Sequence, residues 1–130
     1  MKALAIKGTV FSGKGEGAKY AKLTWVRKQI REKLGFDPYP GTLNIRLASD
    51  QSARLQNMLR KIKGIEILPE KGFHSAKCFK ALLMGKIECA VVFPAVTDYP
   101  KSVVELVAPE NLKEKLGLKD GDVIEFTIVF

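Results

Sequence analysis

Histidine is nearly absent from this chain, and cysteine is scarce: one His and two Cys in 130 residues. His74 has no second histidine to join it, and Cys78 and Cys89 form no C-x-x-C pattern, so a zinc site is excluded. Each cysteine stands among apolar residues, which reads as a buried free thiol and suits a cytosolic protein. No apolar run approaches the length that spans a bilayer, so no membrane association is expected. The opening stretch from Met1 is broken by Lys7 and Gly8 and leads to no cleavage-site pattern, so it reads as a first strand, not a signal peptide. Repeats, linkers and low-complexity tracts are also missing. Aromatic residues make up 8% of the chain, and most of them are expected in the core.

What remains is an ordinary globular composition, 46% hydrophobic and 28% charged, which excludes intrinsic disorder and fits a single domain over residues 1–130. The net charge is +8, from 22 basic and 14 acidic residues. That balance favours polyanionic partners (nucleotides, nucleic acid, phosphorylated metabolites) without choosing among them. Solvated lysines that only keep the protein in solution would look the same.

Along the chain, residues 2–11 read as a strand ended by Ser12-Gly13, and a short strand is expected around Lys19–Leu23. Trp25, Val26, Ile30 and Leu34 share a helical face, with Thr24 as N-cap and Gly35 as stop. A stiff connector with Pro38 and Pro40 leads to a strand over Thr42–Leu47. Leu55, Met58, Leu59 and Ile62 have helical spacing, and Ser49 or Asp50 is the expected cap. Gly64–Leu68 reads as a strand. Ala76–Met84 and Ile87–Phe93 read as a hairpin across Gly85-Lys86. The run Cys89–Phe93 is continuously apolar, which marks a central strand. Val103–Val107 is a further strand, Pro109–Leu116 a short helix, and Val123–Phe130 the last strand. Many strands with few short helices point to a compact β-barrel with appended helices.

Four segments bear on chemistry. Gly13, Gly15 and Gly17 alternate after a strand, so the backbone can turn tightly and gather N–H groups around an anion. The spacing is neither a Walker A loop nor a dinucleotide fingerprint, and a flexible loop would have the same composition. Thr42 and Asn44 stand at i and i+2, where a strand would aim a hydroxyl and an amide oxygen at one hard cation. Two neutral oxygens bind Mg²⁺ weakly unless nucleotide phosphates and water complete the octahedron. Glu105 lies in an apolar strand, either facing solvent or facing a pocket where it would serve as a general base. Asn111 and Lys113 lie at the start of the last helix, which would offer its N-terminus to an anion. Phe73, Tyr39 and Tyr99 are placed in loops, where each would be able to stack on a flat ring.

In this order and spacing the motifs resemble the archaeal CTP-dependent riboflavin kinases. The match runs through Ser12-Gly13-x-Gly15-Glu16-Gly17, Lys33-Leu34-Gly35-Phe36-x-Pro38-Tyr39-x-Gly41-Thr42-Leu43-Asn44 and Gly85–Val91. It continues through Thr97 with Pro100, Glu105 with Ala108-Pro109, and Asn111-Leu112 to Leu118–Asp122, while residues 48–75 add little. The resemblance implies a mainly β fold, a six-stranded cradle-loop barrel with short appended helices. It also implies transfer of the γ-phosphoryl group of CTP to the 5′-hydroxyl of riboflavin, giving FMN and CDP, with Mg²⁺. By carry-over, Gly13, Lys14, Gly15, Glu16, Gly17 and Ala18 would hold the nucleotide, together with Glu110, Asn111, Leu112 and Lys113. Thr42 and Asn44 would sit on the metal, Thr97 and Glu105 would contact the flavin, and Glu105 is the expected catalytic residue. The family often carries a basic residue where this chain has Ala18; Lys19 follows, but on a strand it would point the other way. No nucleic-acid partner is expected, and the resemblance sets no oligomeric state.

The rival is a DNA-binding module. Leu116–Phe126 also resembles the swapped-hairpin barrels of AbrB-type transcription factors, and the net charge of +8 permits DNA binding. Those modules are shorter and need neither the glycine segment nor the Thr42/Asn44 pair.

Overall fold

The protein is described from a computed structural model, over residues 2–13, 16–96 and 99–130. Seven strands form one antiparallel sheet in the order β3-β4-β5-β6-β2-β1-β7, and β7 pairs again with β4. The strands are β1 (Ala3–Phe11), β2 (Leu43–Arg46), β3 (Ile65–Ile67), β4 (Ala76–Leu83), β5 (Ile87–Pro94), β6 (Val103–Val107) and β7 (Val123–Val129). The second pairing closes β4-β5-β6-β2-β1-β7 into a ring of six strands, leaving β3 outside on the edge of β4. The helices are α1 (Glu16–Lys22), α2 (Thr24–Leu34), α3 (Ser49–Lys61) and α4 (Leu112–Leu116). None of them is long and apolar enough to cross a membrane.

Strand alternation builds two cores. Inward positions such as Ile6, Val10, Ile45, Val91, Leu106 and Phe126 fill the first. Their neighbours Ala90, Val92 and Val107 face outward, where Val26, Ile30 and Leu34 of α2 cover them to form the second. β5 therefore has both faces covered, which is why its sequence is continuously apolar and not alternating. Gly8 sits where β1 runs close to β2: a Cβ there would lie 2.3 Å from Ile45 Cγ2 and 2.9 Å from the Arg46 carbonyl oxygen.

Several local expectations need correction. The strand expected at Lys19–Leu23 is helical, as α1. Glu16, Ala18, Lys19 and Lys22 are good helix formers, and Ala21 is buried between half-buried Tyr20 and exposed Lys22, so no strand face exists. Thr24 is the first residue of α2, and the capping position belongs to Leu23, with no side-chain cap. Likewise Ala48, not Ser49 or Asp50, holds the N-cap of α3. The final helix is shorter than expected and is capped by Asn111, whose Oδ1 accepts the Glu114 N–H at 3.2 Å. The hairpin turn has three residues, since Leu83 pairs with Ile87. Gly85 adopts φ 74° there, and Met84 joins it at φ 55°. The expectations for α2 ending at Gly35, for α3 and for β3 hold.

Candidate functional site

Outward-facing residues of β2, β5 and β6 form the floor of the site. Register places Asn44 opposite Glu105 and Glu105 opposite Val92, in one row across three strands. Thr42 precedes β2 and lies on the same side as Asn44, because the intervening Leu43 points into the first core.

Two cavities open on this floor. The first, of about 220 Å³, lies between α1–α2 and the outer sheet face. Its wall is apolar, with Val26, Ile30, Ile67, Val92 and Val107, and its polar groups are few: Thr42, Glu105, Tyr99, Tyr20 and His74 among them. Tyr20, Trp25 and Phe73 form an aromatic chain beside it, with ring centroids 5.8 and 5.4 Å apart in edge contacts. The second cavity, of about 290 Å³, is lined by Gly13, Tyr39–Asn44 and Glu110–Lys113. It is smaller in apolar character and carries the Lys113 amine on its wall.

Thr42 lines both cavities. Its hydroxyl donates to Glu105 Oε1 at 2.8 Å, and the Tyr99 hydroxyl donates to Glu105 Oε2 at 2.6 Å. The carboxylate thus lies in the first cavity beside the shared residue Thr42, held at both oxygens.

A second polar cluster borders the second cavity through Lys113. Ser12 Oγ donates to the Asp120 carboxylate at 2.8 and 3.0 Å, and Lys113 Nζ donates to Asp120 at 3.0 Å and to Ser12 Oγ at 3.3 Å. The Ser12 hydrogen bonds and then the Lys113 amine hold the Asp120 carboxyl below its ordinary range. Burial, on the other side, pushes the Cys78 thiol and the Tyr20 phenol up to about 12. Both stay neutral near pH 7, so neither adds charge to the lining of the first cavity. Both cysteines are free and buried, as the sequence indicates.

The expected site residues fall as follows. Gly13, Thr42 and Asn44 line one cavity, and a Cβ on Gly13 would lie 2.7–2.8 Å from the Asn44 amide group. The glycine segment and the hydroxyl–amide pair therefore meet. Lys14, Gly15 and Thr97 lie outside the described residues. Glu16, Gly17 and Ala18 belong to the first turn of α1, so the last of the alternating glycines stands in a helix. An α-helix leaves its first-turn N–H groups without intrahelical partners. The reservation about Lys19 pointing away as on a strand falls with the strand itself. Glu110 pairs with Lys115 at 2.6 Å, and Asn111 donates to the Tyr39 hydroxyl at 3.2 Å. α4 has only five residues, and Glu110, Asn111, Leu112 and Lys113 at its start line the second cavity. Tyr99 and Phe73 line the first cavity and Tyr39 the second. No pattern in the sequence points to Tyr20 at this site, because Lys19–Leu23 reads as a strand; Val26 and Ile30 read only as a buried helix face.

Among the described residues no cluster of three His, Cys, Asp or Glu is placed to hold a metal. Thr42 Oγ1 and the Asn44 amide oxygen are hard neutral donors in the same cavity. Such a donor pair suits Mg²⁺ arriving with phosphates, which needs few protein ligands.

Comparison with known proteins accords with this geometry. The model of the CTP-dependent riboflavin kinase family, described as "Domain of unknown function DUF120", matches residues 10–128. The riboflavin kinase of Archaeoglobus fulgidus is 45% identical over 130 residues, covering 97% of this chain and 55% of that protein. That of Methanosarcina barkeri is 42% identical over 123 residues, covering 92% and 54%. That of Ignicoccus hospitalis is 39% identical over 133 residues, covering 98% and 72%. The chain spans about half the length of the first two relatives. With its match extending from β1 into β7, the chain belongs to the family of CTP-dependent riboflavin kinases.

Proposed function

We propose that this chain phosphorylates riboflavin to FMN, with CTP as donor and CDP as the second product. The observation that carries the reading is the shared wall: an apolar cavity and a more polar one meet at Thr42, whose hydroxyl is bonded to Glu105 on the apolar side. The apolar cavity suits a flat tricyclic ring, and the other suits a triphosphate. CTP as the donor rests on the family. The six-strand ring supports the cradle-loop barrel, and we treat residues 1–130 as one kinase domain. Buried free thiols suit a reducing cytoplasm.

Phosphoryl transfer asks for positioning and charge neutralisation more than for covalent chemistry. The segment from Gly13 into the first turn of α1, with Asn111 and Lys113, binds the nucleotide phosphates. Thr42 and Asn44 hold Mg²⁺, which when bound neutralises phosphate charge. Glu105, with Thr97, orients the ribityl 5′-hydroxyl and accepts its proton. The hydroxyl oxygen forms the new bond to the γ-phosphorus, and the bond from that phosphorus to the bridging oxygen breaks, leaving on CDP. Asn44 and Glu105 face each other on adjacent strands, which supports giving them the metal-binding and base roles in transfer between the two spaces.

Leu116–Phe126, the segment shared with swapped-hairpin DNA-binding barrels, here ends α4 and enters β7, which pairs with β1 and β4 of the same chain. The test is direct. Purified protein is incubated with riboflavin, Mg²⁺ and each nucleoside triphosphate in turn, and products are separated by chromatography. FMN appearing best with CTP is expected; no FMN with any donor refutes the reading.

A further inference from the structure

The Glu105 carboxylate is on a solvent-side strand position, where a glutamate normally keeps three rotatable bonds in motion. Here both of its oxygens are engaged. Thr42 donates to one at 2.8 Å and Tyr99 to the other at 2.6 Å. The two donors reach it from different elements, the connector before β2 and the loop before β6. Backbone bonds on either side anchor that second loop: Tyr99 N–H donates to the Val96 carbonyl at 3.2 Å, and Leu47 N–H donates to the Ser102 carbonyl at 2.7 Å.

Thr42 lies in the wall shared with the second cavity, where the proposed metal ligands are. Tyr99 lines the first cavity and not the second. We propose that Tyr99 is a positioning residue: its hydroxyl holds the Glu105 carboxylate toward the acceptor hydroxyl, and it is not there merely to offer a ring for stacking. This rests on the kinase reading given above. A carboxylate oxygen has two lone pairs, so each one bound by a phenol or a threonine still has one for the substrate. The 2.6 Å distance is at the short end for O–H···O, as a charge-assisted bond should be.

The experiment uses Tyr99→Phe, which keeps the ring and deletes only the hydroxyl. The expected result is a fall in kcat of about 10-fold or more, because a base that is no longer aimed loses most of its contribution. KM for CTP and riboflavin binding, followed by quenching of flavin fluorescence, should change by less than about twofold. In the Glu105→Gln background, Tyr99→Phe should add no further loss. Unchanged kcat, or weaker flavin binding with kcat intact, would overturn the proposal in favour of stacking. Thermal unfolding of the same four proteins gives a readout independent of turnover. Losses in Tm that simply add would show that the two side chains are not coupled and would also overturn it. If the wild-type protein makes no FMN, it is the kinase reading that fails, while the unfolding cycle still reports on the Tyr99–Glu105 pair.

Discussion

Gly13→Ala separates what Gly13 does for the fold from what it does for the site. Gly13 has no positive φ, so alanine is acceptable to its backbone. The new methyl, however, would lie 2.7 Å from Asn44 Nδ2 and 2.8 Å from its Cγ and Oδ1. Carbon and these atoms need roughly 3.4 Å or more, so a displacement of about 0.6 Å is required. The obstacle is the end of one flexible side chain, so the amide swings aside at an off-rotamer cost of about 0.5–1.5 kcal/mol. If Asn44 must return to its place to bind metal with nucleotide, that cost reappears in binding. It corresponds to about a 2- to 12-fold rise in KM for the Mg²⁺–CTP complex. Stability should fall by no more than about 1.5 kcal/mol, a few degrees in Tm. The assay is a Mg²⁺ titration of FMN formation at fixed riboflavin, paired with thermal unfolding. An unchanged titration with the protein fully folded would refute the role given to Asn44 and to the glycine beside it. A collapse in Tm would refute the claim that the clash is absorbed by a side chain.

The remaining predictions concern the core, the base, the metal and alkaline pH. Gly8→Ala meets Ile45 Cγ2 at 2.3 Å and a backbone carbonyl at 2.9 Å, so it should cost about 3 kcal/mol or more, seen as a lower Tm and urea midpoint. Glu105→Gln should lower kcat by about 100-fold with CTP binding within about twofold, measured by steady-state kinetics and calorimetry. Thr42→Ala with Asn44→Ala should raise the Mg²⁺ concentration needed for half-maximal rate by about 10-fold or more. Cys78, Cys89 and Tyr20 all titrate higher in the folded protein, at about 12 against ordinary values of 9.0 for the thiols and 10.0 for the phenol. Their contribution to stability is therefore intact below pH 9 and drains away as pH rises toward about 12. Urea midpoints should fall over that window, and less steeply in Cys78→Ala.

The strands were legible because sheets write their burial into a period of two. Val104 and Leu106 turn inward while Glu105 and Val107 turn outward, and the unbroken run at Cys89–Val92 reports a strand covered on both faces. The first glycine-led segment is legible for the same physical reason that the site needs it, since Gly13 lets Asn44 approach; Gly85 is legible for a separate reason, the hairpin turn. The helix over residues 16–22 was missed because, among its described side chains, only Ala21 is deeply buried, which leaves no period to read. Helix caps were misplaced by one residue at α2 and by one or two at α3, since neither start uses a side-chain cap. The shared wall was beyond any local pattern. Thr42 and Glu105 are 63 residues apart and meet only because β2 pairs with β6 across the ring.

That pairing also explains why the chain needs a closed ring and not an open sheet. Two ligands that exchange a phosphoryl group must be held at fixed separation, because a misplacement of about 1 Å can cost on the order of 100-fold in rate. β2 carries Asn44 and β6 carries Glu105, and each is clamped on its other edge, β2 by β1 and β6 by β5. Neither strand is free to slide, since a one-residue slip would turn Ile45 and Val104 out of the core. The core that stabilises the protein is thus also what sets the distance between the two cavities. Ile45→Ala should therefore lower kcat as well as Tm, although its side chain touches neither space. A fully destabilised variant that retained wild-type kcat below its melting range would separate the two roles and show that local hydrogen bonds alone set the geometry.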